Sequence, residues 1–227
     1  MREPIFDSVR RLVPDVWSDP GNILAMDNVL DGLGVPRAQS VAAVDHLTDR
    51  IVLEILEHEA IVPEAYKDSV GVWTWGVGVT NASGHAVMRY KDNPQTIQRC
   101  LEIYVWLLRT KYLPSVLAAF HGHPMAEHEL GGALSFHYNT GAIGRANWVK
   151  LVKAGEREKA RTAFMDWSKP KEIIGRRKCE RDLFFDAKWT SDGRVTVYDV
   201  AKPSYSPRWS SARQVDVTDE LNAVLAT

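Results

Sequence analysis

Between His58 and Thr80 the chain changes its periodicity, and that change limits the folds open to it. Upstream, Leu47, Ile51 and Ile55 recur at four-residue spacing and predict a helix with one buried stripe. That helical run follows Ser40 and continues or restarts at Thr48. Downstream, HEAIVPEAYKDSVGVWTWGVGVT is rich in Tyr, Val and Trp and is broken by Gly71, Gly76 and Gly78, the pattern of short strands in a small β lobe. Pro63 disfavours helix at Val62, which places Glu59 in or near the last helical turn. Helices interrupted by one hairpin lobe predict an α+β fold, mainly helical.

The rest of the chain fits that frame. Pro4–Val13 and Asn22–Leu33 read as two short helices closed by Gly34 and Pro36, giving an N-terminal helical extension over residues 1–45. After the hairpin, Asn93 and Pro94 open a helix whose apolar positions are Ile97, Cys100, Leu101, Tyr104, Val105 and Leu108. Pro114 starts a further turn. Pro124–Tyr138 reads as a buried helix in which Gly131, Gly132, Ala133 and Ser135 permit close packing. Asn147 caps a short helix that Gly155 closes, and Glu156–Trp167 and Lys171–Phe185 complete a helical lobe, so that residues 46–186 form the central domain. In residues 187–227, Asp192-Gly193 between Trp189 and RVTVYDV predicts a hairpin, and Thr218 caps a last helix, giving a C-terminal extension.

Composition excludes several classes. With 45% apolar and 25% charged residues the chain reads as globular, and no apolar run approaches the roughly 18 residues of a membrane span. The start, MREPIFDSVRRLVPDVW, lacks the charged head and apolar core of a signal peptide. Net charge is −1 but unevenly placed: five Arg against twelve acids in residues 1–64 give −7, and twelve Lys and Arg against five acids in residues 145–181 give +7. Such asymmetry joins the halves to each other or orients the protein on a polyanionic surface. No nucleic-acid partner is expected. Cys100 and Cys179 are isolated and read as buried free thiols, neither a disulfide framework nor a metal site.

Glu59, Asp68 and Thr74 stand nine and then six residues apart. Two carboxyl groups in unlike surroundings are what glycosidic cleavage requires, one to donate a proton and one to help a water attack. Ala60, Ile61 and Val62 supply an apolar wall that would raise the pKa of Glu59 and let it hold a proton. Asp68, between Lys67 and Ser69, has the more polar setting, suited to an ionised group that stabilises the sugar cation and orients a water, with Thr74 holding the same water. Trp73 and Trp75 flank Thr74, so one is expected to face sugar and the other the core; Trp75 is assigned to the sugar.

The AYKD…GVWT…G residues, with ALSFHYNTGAIGRANWVKLVKAG and EIIGRRKCERDLF further on, closely resemble the phage-type lysozymes, the T4- and P22-like endolysins. The likeness covers about residues 48–186 and leaves out residues 1–45 and the tail. It implies a lysozyme-like fold and a muramidase, a glycoside hydrolase that cleaves the β-1,4 bond between N-acetylmuramic acid and N-acetylglucosamine of bacterial peptidoglycan, typically with inversion and without a cofactor. It also implies that Tyr138 and Asn139 line the sugar cleft, and that Arg176, or Arg177 in a register shifted by one, approaches Glu59 and opposes the effect of its burial. Two positions depart from the family pattern. Val79 stands where many relatives have a histidine that pairs with an acid of the helical lobe, with His85 as a weak substitute, and Ala60 stands where glycine is common.

Rival signals are weaker. His121, His123 and His128 lack the acid or cysteine that would complete a metal site, and GVGV lacks the third glycine of a dinucleotide fingerprint. Two alternatives to the muramidase remain: a catalytically silent wall-binding or phage-tail module on the same fold, and a lytic transglycosylase, which needs no water held by Asp68. The expected setting is a host cytoplasm before release, with action in the periplasm and cell wall after passage by a holin or delivery in a tail or toxin particle. Residues 1–45 would cover the helical lobe, bind wall or dock on a carrier.

Overall fold

Pro4 lies in the first turn of a helix, where its missing N–H has no intrahelical partner to lose. It opens α1 (Glu3–Leu12), which is followed by α2 (Pro20–Gly32). The guanidinium of Arg2 ties the ends of this pair together, donating from Nε and Nη2 to the Val35 carbonyl at 3.0 and 2.6 Å. The structure, a computed structural model, describes residues 2–35 and 43–226, and Pro36 and the start of the helical run expected after Ser40 lie outside them. The chain divides into two compact units, residues 1–42 and 43–227.

In the second unit Thr48 caps α3 (Asp49–Leu56), its Oγ1 accepting the Ile51 amide at 3.2 Å and donating to Glu127 Oε1 at 2.6 Å. Ile51, Val52, Ile55 and Leu56 are fully buried along one face. The helix ends at Leu56, earlier than Pro63 alone requires, and Glu59 lies in the turn that joins it to β1 (Ala60–Lys67). The cause is distant in sequence. Ala60 and Ile61 pair in parallel with Thr196 and Val197 of β4 (Arg194–Val197), so backbone that would extend the helix is taken into a sheet.

β1 also pairs antiparallel with β2 (Trp73–Gly76), which turns into β3 (Val79–Thr80). The register breaks between Val62 and Tyr66, around Pro63, which has no amide proton to donate. Its carbonyl accepts instead from Trp75 Nε1 at 2.7 Å and from the Gln95 amide at 2.9 Å.

The tail is not a separate extension, and Asp192-Gly193 is not a hairpin turn. Asp192 Oδ1 accepts the Arg194 amide at 3.0 Å, and the strand it introduces pairs antiparallel with the much later β7 (Arg213–Asp216). Strand order is therefore β3-β2-β1-β4-β7, hairpin lobe and tail in one sheet. β5 (Val200–Ala201) and β6 (Ser206–Pro207) form a small ribbon beside it. Buried Glu54 of α3 anchors the start of the tail, accepting from the Thr190 amide and hydroxyl and from the Ser191 amide at 2.8–3.1 Å. Val217 N-caps α10 (Thr218–Leu225), and Thr218 is its first residue; α10 packs against α3 and the helix that follows the hairpin lobe, with Leu221 and Val224 buried.

The helical lobe contains α4 (Ile97–Leu107), α5 (Leu113–Ala119), α6 (Glu127–Thr140), α7 (Asn147–Lys153), α8 (Arg157–Phe164) and α9 (Ile174–Asp186). Thr96, not Asn93, caps α4, accepting the Arg99 amide at 3.1 Å. Trp148 sits among Phe136, Phe164 and Phe184 with ring centroids 4.6–5.2 Å away. The main body is thus α+β and mainly helical. Cys100 and Cys179 are free; Cys100 is buried and Cys179 only partly so.

α6 and α9 are in close contact at Gly132, where a Cβ would lie 2.9 Å from Phe184 Cβ and 3.0 Å from the Glu180 carbonyl oxygen. Because the second neighbour is backbone, the helices must separate to admit a methyl group. Gly132→Ala is expected to destabilise the protein by about 1–3 kcal/mol, read from urea unfolding; an unchanged midpoint would show that the two helices are not held at this spacing.

Candidate active site

The turn after α3 presents Glu59 to the helical lobe. Its amide donates to the Leu56 carbonyl at 2.9 Å, and its side chain is 22% exposed. Oε1 accepts from Arg176 Nη1 at 2.6 Å. Burial raises the pKa of Glu59, Arg176 opposes this, and nearby Glu180 adds to the rise, with burial winning. His58 contributes no charge at neutral pH, since burial and the two guanidinium groups of Arg176 and Arg177 lower its pKa to about 4.

Arg176 is held from behind. Its Nε donates to Glu180 Oε1 at 2.8 Å, and Glu180 is 1% exposed. Ser135 of α6 donates to the same Oε1 at 2.7 Å, and Arg177 donates to Oε2. Burial disfavours the Arg176 charge, but Glu59 and Glu180 outweigh that and raise its pKa. Arg177 points elsewhere: its Nη2 donates to Asn139 Oδ1 at 2.6 Å, and its guanidinium lies over the Phe136 ring at 4.7 Å. Of the two registers left open by the sequence, Arg176 reaches Glu59.

Asp68 closes β1. Its Oδ1 accepts the Val70 and Val72 amides at 3.0 and 2.8 Å. Thr74 is 4% exposed, and its hydroxyl donates to the Val72 carbonyl at 3.1 Å, leaving oxygen lone pairs as acceptors. Val72 therefore ties Asp68 and Thr74 together, with its N–H on one and its C=O on the other. Tyr66 pairs across the strands with Thr74, and its phenol has a pKa pushed up to about 12, by burial first and then by Glu59 and Asp68. The phenol thus feels both carboxyl groups, and sequence reasoning missed it because a strand tyrosine carries no positional signal of its own.

The other expected residues divide. Asn139 is exposed and lines a cavity of about 350 Å3 with Thr140, Trp167, Lys169 and Ile173. Tyr138 is half-buried, and its hydroxyl donates to the Val77 carbonyl at 2.5 Å, so it joins α6 to the β2–β3 turn. That contact links the helical lobe to the hairpin. His85 is no ion-pair substitute: its Nε2 contacts the Tyr90 hydroxyl at 2.9 Å, within an aromatic stack. Trp75 does not face sugar. It is fully buried and stacked on Tyr90 at 3.9 Å between centroids. Trp73 and Trp75 share one face of β2, two residues apart; Trp75 is the deeper, while Trp73 meets the edge of Tyr205 at 5.3 Å. Among the described residues no group of His, Cys, Asp and Glu is placed to hold a metal ion. His128 is used structurally, its Nδ1 lying 3.0 Å from the carbonyl oxygens of Leu183 and Phe184.

Glu180 was also missed, although its spacing three and four residues after Arg177 and Arg176 puts it on their helix face. Tyr198, Pro207 and Trp209 of the tail, which line a cavity together with Asp68, had no such signal.

Residues 56–180, more than half of the chain, match the phage lysozyme family. The chain is similar in structure to an endolysin from Escherichia coli O157:H7 phage FAHEc1, at 21% identity over 64% of this chain and 96% of that one, with a TM-score of 0.52. It is similar also to a mutant of P22 lysozyme, at 22% identity over 63% of this chain and 99% of that one, with a TM-score of 0.50. No curated protein matches the chain. The structural likenesses show a lysozyme fold, and the family match spans Glu59, Asp68, Thr74 and Arg176 alike. The chain belongs to the phage lysozyme family, a family of peptidoglycan hydrolases.

Proposed function

We propose that the protein is a muramidase that hydrolyses the β-1,4 bond between N-acetylmuramic acid and N-acetylglucosamine. The observation that carries the reading is the unlike treatment of two carboxyl groups flanking Tyr66. Glu59 is mostly buried with a raised pKa, which suits a proton donor to the glycosidic oxygen. Asp68 has one oxygen fixed by turn amides, which leaves the other to orient a water, and the Thr74 oxygen, its proton given to Val72, would accept from the same water. The Asp68–Val72–Thr74 linkage favours hydrolysis over transglycosylation, since a transglycosylase has no water to place. Inversion of the anomeric centre is the outcome this arrangement serves, with water entering opposite Glu59. Asn139 and its cavity would take sugar. Release by a holin, or delivery inside a tail or toxin particle, belongs to the same proposal.

Digestion of purified Gram-negative peptidoglycan tests it. Wild type is expected to release muropeptides with reducing ends, and Glu59→Gln to lose about 10²–10⁴-fold in rate. Anhydro ends would make the protein a transglycosylase, and wall bound but left intact would make it a structural module.

Two pH effects follow from the raised pKa. Activity needs protonated Glu59, so it falls as pH rises through that pKa. Arg176→Gln removes the charge that lowers the pKa and should move this alkaline limb of kcat/KM to higher pH; a limb that stays in place would mean Arg176 does not act on Glu59. For stability, the folded state binds the Glu59 proton more tightly than the unfolded chain, whose value is near 4.5. The favourable contribution is full below that value and is lost as pH rises through the folded pKa. Glu59→Gln should therefore gain stability relative to wild type as pH rises, measured by urea unfolding at several pH values. A constant gap would show an unperturbed carboxyl group.

A further inference from the structure

The family match stops at residue 180, yet the cavity beside Asp68 is closed by the tail. This cavity, about 440 Å3, has Tyr66, Asp68 and Ser69 on the hairpin side and Tyr198, Pro207 and Trp209 on the tail side. The tail wall is fixed in several places. The Lys67 amide donates to the Tyr205 carbonyl at 2.6 Å, and the Tyr198 amide donates to the Ile61 carbonyl at 3.0 Å. The Tyr205 hydroxyl reaches both Asp92 oxygens at 3.0 Å, and Lys202 pairs with Glu64 and Asp92. Asp199 is gripped by Arg208 at 2.6 Å and Arg213 at 3.0 Å, on either side of Trp209 in sequence.

On this fixed loop Trp209 is 69% exposed. Its ring meets Tyr198 edge-on, with centroids 5.2 Å apart and planes at 80°, so packing orients the indole without covering it. An oriented, solvent-facing indole at the rim of a cavity is a ready surface for the apolar face of a pyranose ring, with little ordering entropy left to lose. A glycan strand is a polymer and continues past the bond being cut. The sugar that lies beyond Asp68 would meet this wall.

We propose that the tail adds a saccharide subsite to the cleft on the Asp68 side, with the Trp209 indole as the platform for one sugar ring of the glycan strand. The inference rests on the muramidase reading and assigns part of its substrate specificity, a preference for longer strands, to residues 198–209.

The test uses soluble, uncross-linked peptidoglycan glycan fragments of graded length, the whole chain, and the variants Trp209→Ala and Trp209→Phe. In wild type KM should fall as the fragment lengthens. In Trp209→Ala that fall should be lost, leaving KM for the longest fragments about 3–10-fold above wild type, and Trp209→Phe should recover most of it. The same length dependence in wild type and Trp209→Ala would overturn the subsite while leaving the hydrolase reading intact. If wild type cleaves no fragment, the hydrolase reading fails, and calorimetry of the same fragments decides the subsite alone. Weaker binding by Trp209→Ala would support it, and equal binding, or none to either protein, would overturn it.

Discussion

Glu180, at 1% exposure, is a carboxyl group placed between two guanidinium groups inside the helical lobe, and much of the site's arrangement depends on it. A buried charge is tolerated only when it is paired and its remaining lone pairs are filled. Arg176, Arg177 and the Ser135 hydroxyl fill them. That satisfied group fixes the rotamer of Arg176, and Arg176 in turn meets Glu59. On its other side it fixes Arg177, which holds Asn139 at the opposite cavity. One buried carboxylate therefore orients groups at two parts of the candidate cleft. Breaking such a network by removing one partner typically costs about 3–5 kcal/mol.

The arrangement also explains how a glutamate that touches a guanidinium can still have a raised pKa. A guanidinium at 2.6 Å would ordinarily keep a carboxyl group ionised. Here Arg176 is shared, because Glu180 competes for the same cation, and burial of Glu59 outweighs what remains of its pull. His58 stays neutral and adds no second cation. The balance raises the pKa of Glu59 above its ordinary value.

Local patterning made much of this legible. The four-residue apolar spacing found α3, and the succession of Tyr, Val, Trp and Gly found the hairpin that carries Asp68 and Thr74. What local patterning missed was decided at long range. The end of α3 depends on pairing of Ala60 and Ile61 with a strand well over a hundred residues later. Residues Asp192 and Gly193 have the composition of a hairpin turn, yet they lead into β4, whose antiparallel partner is β7. Trp73 and Trp75 have the same residue type and the same strand face. Their difference in burial comes from Tyr90, which covers one, and Tyr205, which meets the edge of the other. Arg176 and Arg177 are neighbours in sequence and both reach Glu180, but one helical step sends the first on to Glu59 and the second on to Asn139.

The folded protein makes Glu59 a weaker acid than a free glutamate although Arg176 touches it. The most direct measurement is an NMR titration of the side-chain carboxyl carbons, with the Glu59 resonance assigned by its absence in Glu59→Gln. A midpoint above 4.5 is expected. A midpoint at or below that value would mean that Arg176 overcomes burial, and Glu59 would then not hold a proton for the leaving oxygen.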